Sequence, residues 1–143
     1  MRDRSKARGW ALQVLYAWET RGENGSPAHL LAQFAGERKI ARSSQEYAFQ
    51  LLEAFAAHRA PIDRALQDSL SNWRLERLAM IDRNILRLAA AEMFYIDDVP
   101  DRVSIQEAIH LAEKYGSNDS PRFVNGVLDA LMRGHGSDSQ EPH

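Results

Sequence analysis

Five histidines, at positions 29, 58, 110, 135 and 143, are the imidazoles available for metal or acid–base chemistry. No two of them stand at the i, i+3 or i+4 spacing that would bring ligands to one face of a helix. The chain has no cysteine, which excludes thiolate zinc sites, iron–sulfur clusters, disulfides and a thiol nucleophile, and fits a reducing cytoplasm. The phosphate-cradling GxGxxG and GxxxxGK[ST] loops and the GxSxG elbow are absent. Asp and Glu are spread as on solvated helix faces rather than gathered as an acid and its base. These residues propose no reaction, no metal and no cofactor, and the expectation is a protein that is not an enzyme.

The cations are more informative. Arg2, Arg4, Lys6 and Arg8 against Asp3 give residues 1–9 a charge of +3, whereas the whole chain carries −2. A basic arm on an acidic body suits a polyanionic partner bound by counterion release, with Arg4 and Arg8 one helical turn apart and facing the same way. A frayed, merely soluble terminus would have the same composition. Aromatic residues beside cations add the means to stack bases. Tyr16 lies on the arm's own helix, and Arg122-Phe123 opens the last helix, where free backbone N–H groups also favour phosphate. Each of these aromatics, taken singly, suits a helical core better, and only together with the arm do they read as a surface.

The elements that must position these residues are helical. Ala and Leu supply 35 of the 143 residues, while the β-branched Val, Ile and Thr supply 13. The chain is long enough for one core without staples, and no apolar run approaches a membrane span. Periodicity predicts a first helix from about Arg4 to Thr20, with a stripe of Trp10, Ala11, Val14, Leu15 and Trp18. Ser26-Pro27 reads as N-cap and first helical position of a short second helix carrying Leu30, Leu31 and Phe34. Ser43 with Glu46 and Ser104 with Glu107 read as capping boxes. Pro61 opens a helix with Ile62, Leu66 and Leu70, and the longer apolar stretch from Leu75 to Met93 should break near Ala79 to Asp82.

Gly116 suits the residue after a helix end, and Ser120-Pro121 starts the last helix, which Gly134 should terminate. Gly126 inside that helix calls for a compensating reason, either close approach of a neighbour or a hinge. Residues 1–133 therefore read as one all-α domain, and 134–143 as a disordered tail.

Several blocks carry a family likeness. They are Lys6-Ala7-Arg8 leading to Leu15-Tyr16-Ala17-Trp18, Asn72-Trp73 through Arg77-Leu78, and Asp82-Arg83 to Leu88-Ala89 with Glu92. Val99-Pro100, Val103 to Ala108, Leu111 to Gly116, and Asp119-Ser120 with Phe123-Val124-Asn125-Gly126-Val127-Leu128-Asp129 complete them. Over about residues 4–132 the chain resembles the NusB family of bacterial transcription antitermination factors.

The resemblance implies two small packed helical bundles sharing a core. It implies binding of boxA RNA of the ribosomal RNA leader together with NusE, a small-subunit ribosomal protein, in a complex that joins elongating RNA polymerase in the cytoplasm. Positions matching the family's RNA surface are Arg2, Arg4, Lys6, Arg8, Tyr16, Asp119, Arg122 and Phe123. Glu76 and Asp82 match acidic positions offered to the basic NusE partner. Here the arm's cations alternate with Asp3, Ser5 and Ala7, which implies weak RNA binding by the chain alone, with NusE supplying much of the complex. Some relatives form homodimers that hide the arm. The rival readings are a helical protein-binding adaptor and the NusB-like domain of a ribosomal RNA methyltransferase. The latter needs a further domain with a catalytic cysteine, and this sequence holds none.

Overall fold

A computed structural model describes residues 2–139, with seven α-helices and no strand among them. They are α1 (Arg2–Thr20), α2 (Pro27–Arg38), α3 (Arg42–Ala57), α4 (Arg59–Ser69), α5 (Met80–Tyr95), α6 (Asp101–Tyr115) and α7 (Ser120–Ser139). A 3-10 turn, Leu75–Arg77, interrupts the long apolar stretch ahead of the expected Ala79 to Asp82, and only Ala79, the N-cap of α5, falls within that range. Helices α1 to α3 pack as one group and α4 to α7 as a second, and α5 touches members of both. Every residue of α5 from Asn84 to Met93 is buried, as a helix surrounded on all sides must be. It is the element the two bundles share.

Local signals hold where the side chain has no competing partner. Ser26 caps α2, its hydroxyl accepting the His29 N–H at 3.1 Å with Pro27 in the first turn. The two expected capping boxes do not form. Helix α3 starts at Arg42, and the Ser43 hydroxyl instead donates to the Asp3 carboxylate at 2.9 Å. Helix α6 starts at Asp101, a turn before expected, and Ser104 is buried inside the protein. Trp10 is only half-buried, and Leu12 takes the core position beside Leu15. The last helix does not stop at Gly134 but runs to Ser139, so the expected tail is helical in its first part. Residues 140–143 lie outside the described residues.

Gly116 ends α6 with an extended backbone, φ −93° and ψ −168°, so no left-handed turn requires glycine there. Space requires it: a Cβ at 116 would stand 2.5 Å from Ser120 Oγ, 2.6 Å from Ser120 Cβ and 2.9 Å from the Ala112 carbonyl. Two of those three atoms cannot swing aside without moving backbone. Gly116→Ala should therefore cost roughly 1–3 kcal/mol by overpacking, read as a lower denaturant midpoint with an unchanged slope.

Candidate nucleic-acid interface

The first helix presents its cations to two different places. Arg8 is buried (6% exposed), and its Nε donates to both carboxylate oxygens of Glu92, at 3.1 and 2.9 Å. Its Nη1 donates to Glu107 at 3.1 Å. Glu92 also accepts the Tyr47 hydroxyl and, at 2.6 Å, the Ser104 hydroxyl. One carboxylate thus joins α1, α3, α5 and α6.

The expectation that Arg8 lies on an exposed arm is corrected by this geometry: its charge is spent inside the protein. Arg4 does face the same way, as its spacing required, and its guanidinium lies 4.4 Å above the Tyr47 ring while Nη2 donates to Asp98 at 2.9 Å. That bond holds the Asp98 carboxyl below its usual range. Arg4 is partly exposed. Lys6, on the opposite face of α1, is exposed and has no ion pair among the described residues. The side chain of Arg2 lies outside the described residues.

Burial, together with donation to Glu92, raises the Tyr47 phenol well above its ordinary value near 10. The unfolded chain releases that proton first, so this contact stabilises the fold below pH of about 10 and loses its contribution as pH rises further. We expect the denaturant midpoint to fall as pH rises above about 10, and Tyr47→Phe to flatten that fall.

Tyr16 is exposed (42%), as a stacking role needs. At the other end of the candidate surface, Asp119, just before α7, and Arg122 in its first turn are exposed, and Phe123 is half-buried. This end is held in place by a relay of bonds. Ser120 Oγ accepts the Ser117 N–H at 2.9 Å and donates to Asp82 at 2.7 Å, so the first turn of α5 fixes the turn that leads into α7. Gln13 of α1 donates to the Tyr115 hydroxyl at 3.2 Å, tying the arm's helix to the end of α6 just before that turn. The two halves of the surface, α1 and the start of α7, are therefore braced through α6.

Trp73 was not among the expected site residues. It is 59% exposed, and its ring meets Phe123 edge-on at 6.2 Å and 79°. Gln67 secures its loop, donating to the Trp73 carbonyl at 2.8 Å and accepting the Leu75 N–H at 2.9 Å. The available signal was a tryptophan standing in the break between two periodic segments, where neither apolar stripe needs it. Together Trp73 and Phe123 make an aromatic edge beside Arg122.

The two acidic positions differ in kind. Glu76 is exposed, and its carboxylate accepts from Arg74 Nε at 3.0 Å. Asp82 is half-buried, and one of its carboxylate oxygens accepts the Ser120 hydroxyl. Gly126 is exposed, and a Cβ built on it would meet nothing within 4 Å, so the expected close approach of a neighbouring helix is absent. Helix α7 passes through it unbroken. Gly126→Ala should thus stabilise the free protein by about 0.5–1 kcal/mol, visible as a thermal midpoint raised by a few degrees.

Among the described residues no group of three or more His, Cys, Asp and Glu is placed to hold a metal ion, and no helix is long and apolar enough to cross a membrane. The model of the NusB family matches residues 5–133. A transcription antitermination protein NusB from Trichlorobacter lovleyi is 42% identical over 128 residues, covering 90% of this chain and 89% of the relative. The solved structure of T. maritima NusB is similar with a TM-score of 0.83 at 32% identity, covering 91% of this chain and 90% of that one. A structure of antitermination factors NusB and NusE in complex with dsRNA is similar with a TM-score of 0.83 at 34% identity, covering 94% and 98%.

Proposed function

The chain belongs to the NusB family, and from that premise we propose that it is a transcription antitermination factor. It binds boxA RNA of the ribosomal RNA leader together with the ribosomal protein NusE and acts on elongating RNA polymerase. The observation that carries this reading is likeness over 94% of the chain to a NusB solved with NusE and RNA. The alternative of a purely protein-binding adaptor has no observation of its own behind it.

The residues take distinct roles in this reading. Lys6 and Arg122 neutralise phosphates, and Arg2 and the exposed part of Arg4 add to the same field. Phe123 stacks a base, Tyr16 offers a second ring, and the Asp119 carboxylate accepts from a base amino group. Trp73 widens the stacking edge at Phe123. Arg8 acts indirectly, by fixing the helix that carries Lys6 and Tyr16. Glu76 meets the basic partner, whereas Asp82 acts through Ser120 on the setting of α7.

A transcription assay tests the whole reading. On a template with a ribosomal leader followed by a terminator, the chain with NusE and the remaining elongation factors should raise read-through. Scrambling boxA should abolish the increase. Read-through that ignores the boxA sequence would contradict the proposal.

A further inference from the structure

A cleft of about 610 Å³ lies between α1, α6 and the turn from α2 into α3. Its volume falls in the range of roughly 300–1,000 Å³ typical of small-ligand sites. Its walls carry Lys6, Lys39 and Lys114 with His110, and two half-buried aromatics, Trp10 and Tyr115. The single carboxylate on its lining is Glu107, and Arg8 already donates to it at 3.1 Å. None of the three ammonium groups is ion-paired among the described residues. In a chain whose net charge is −2, this is a locally cationic groove with its one anion neutralised from behind.

Lys39 adds a second, independent observation. It closes α2 in the left-handed region, φ 52° and ψ 53°, where a residue with a Cβ is disfavoured by roughly 1–2 kcal/mol. Glycine or asparagine would hold that turn at less cost. A lysine there places a cation at the rim of the cleft despite the backbone penalty.

We propose that this cleft is a second RNA subsite, which takes a single-stranded segment flanking the element bound at Tyr16 and Phe123. The phosphodiester backbone runs past Lys6, Lys39 and Lys114, and a base enters against Trp10 and Tyr115. Single-stranded RNA is the occupant that fits, because unstacked bases and closely spaced phosphates need rings and cations side by side. The cleft is continuous with the proposed surface through Lys6 and through Gln13, which lines the cleft and bonds Tyr115. The inference rests on the antitermination reading and deepens it, since it gives RNA beyond boxA a place on this chain.

The test uses the full chain with NusE and three labelled RNAs: the boxA core, the core with six uridines added 5′, and the core with six added 3′. One extension should tighten binding about tenfold, and the double variant Lys39→Gln/Lys114→Gln should remove that gain while leaving the core affinity unchanged. For the extended RNA, the salt dependence should flatten by about 1.4 in log–log slope, two single-strand phosphates' worth. Both lysines are exposed, so the variant should fold, and an unchanged thermal midpoint checks this. No gain from either extension, as expected if an acidic protein segment occupies the cleft instead, would overturn the subsite. So would a gain that survives in the double variant. Failure of the wild-type chain to bind the core itself would overturn the antitermination reading as well, and that arm separates the two.

Discussion

Arg8→Ala should lower the unfolding free energy by roughly 3–5 kcal/mol, the usual cost of breaking a buried ion pair from one side. For a domain whose total stability is about 5–15 kcal/mol, that is a large fraction. The reason lies in what is left behind. Glu92 is 2% exposed and would be left buried without its cation, with only the Tyr47 and Ser104 hydroxyls donating to it, while Glu107 loses its guanidinium. Replacing both ends, as in Arg8→Met with Glu92→Leu, should recover only part of the loss, because Tyr47 and Ser104 then lose their acceptor. Denaturant unfolding gives the energies. The informative contrast is with Lys6→Ala, which should leave stability within about 0.5 kcal/mol and flatten the salt dependence of RNA binding by about 0.7 in slope. An Arg8 variant that unfolds normally but flattens the salt slope would mean that Arg8 faces phosphate after all.

Phe123→Ala should weaken boxA binding by roughly 1–3 kcal/mol, about 5- to 150-fold, if a base stacks on the ring. Phe123 is half-buried and packs against the core as well as against Trp73, so truncation also carries a stability cost. Trp73→Ala separates the two effects. Trp73 is mostly exposed, so its loss should change stability little while opening one side of the aromatic edge and weakening RNA binding. Equal RNA affinity for wild type, Phe123→Ala and Trp73→Ala, measured where all three are folded, would place the base elsewhere.

The helical class, the break before α5 and the Ser26 cap were all legible because they depend on neighbours a few residues away. Readings failed where a distant partner took over a local group. Ser43 and Ser104 have the spacing of capping residues, yet Asp3 and Glu92 claim their hydroxyls from 40 and 12 positions away. Arg8 looks like part of a basic arm in one dimension, and only the packing of α5 against α1 reveals the carboxylate waiting for it. Asp82 also bonds Ser120 of α7, a contact that no local pattern announces. Gly126 misled in the opposite sense, since an interior glycine suggests crowding and the structure leaves it open. Trp73 was overlooked because a residue between two periodic stripes has no pattern to violate. Of the proposed surface, Lys6, Tyr16, Asp119, Arg122 and Phe123 came from charge, aromatic placement and family likeness, and the structure leaves Lys6, Tyr16, Asp119 and Arg122 exposed and Phe123 half-buried.

The central claim is that this chain and NusE together recognise boxA. Fluorescence anisotropy with labelled boxA RNA and a scrambled control, with and without NusE at two salt concentrations, tests it most directly. We expect weak binding by the chain alone, selective for boxA, that strengthens when NusE is added and weakens as salt rises. Equal weak binding to both RNAs, unmoved by NusE, would contradict it.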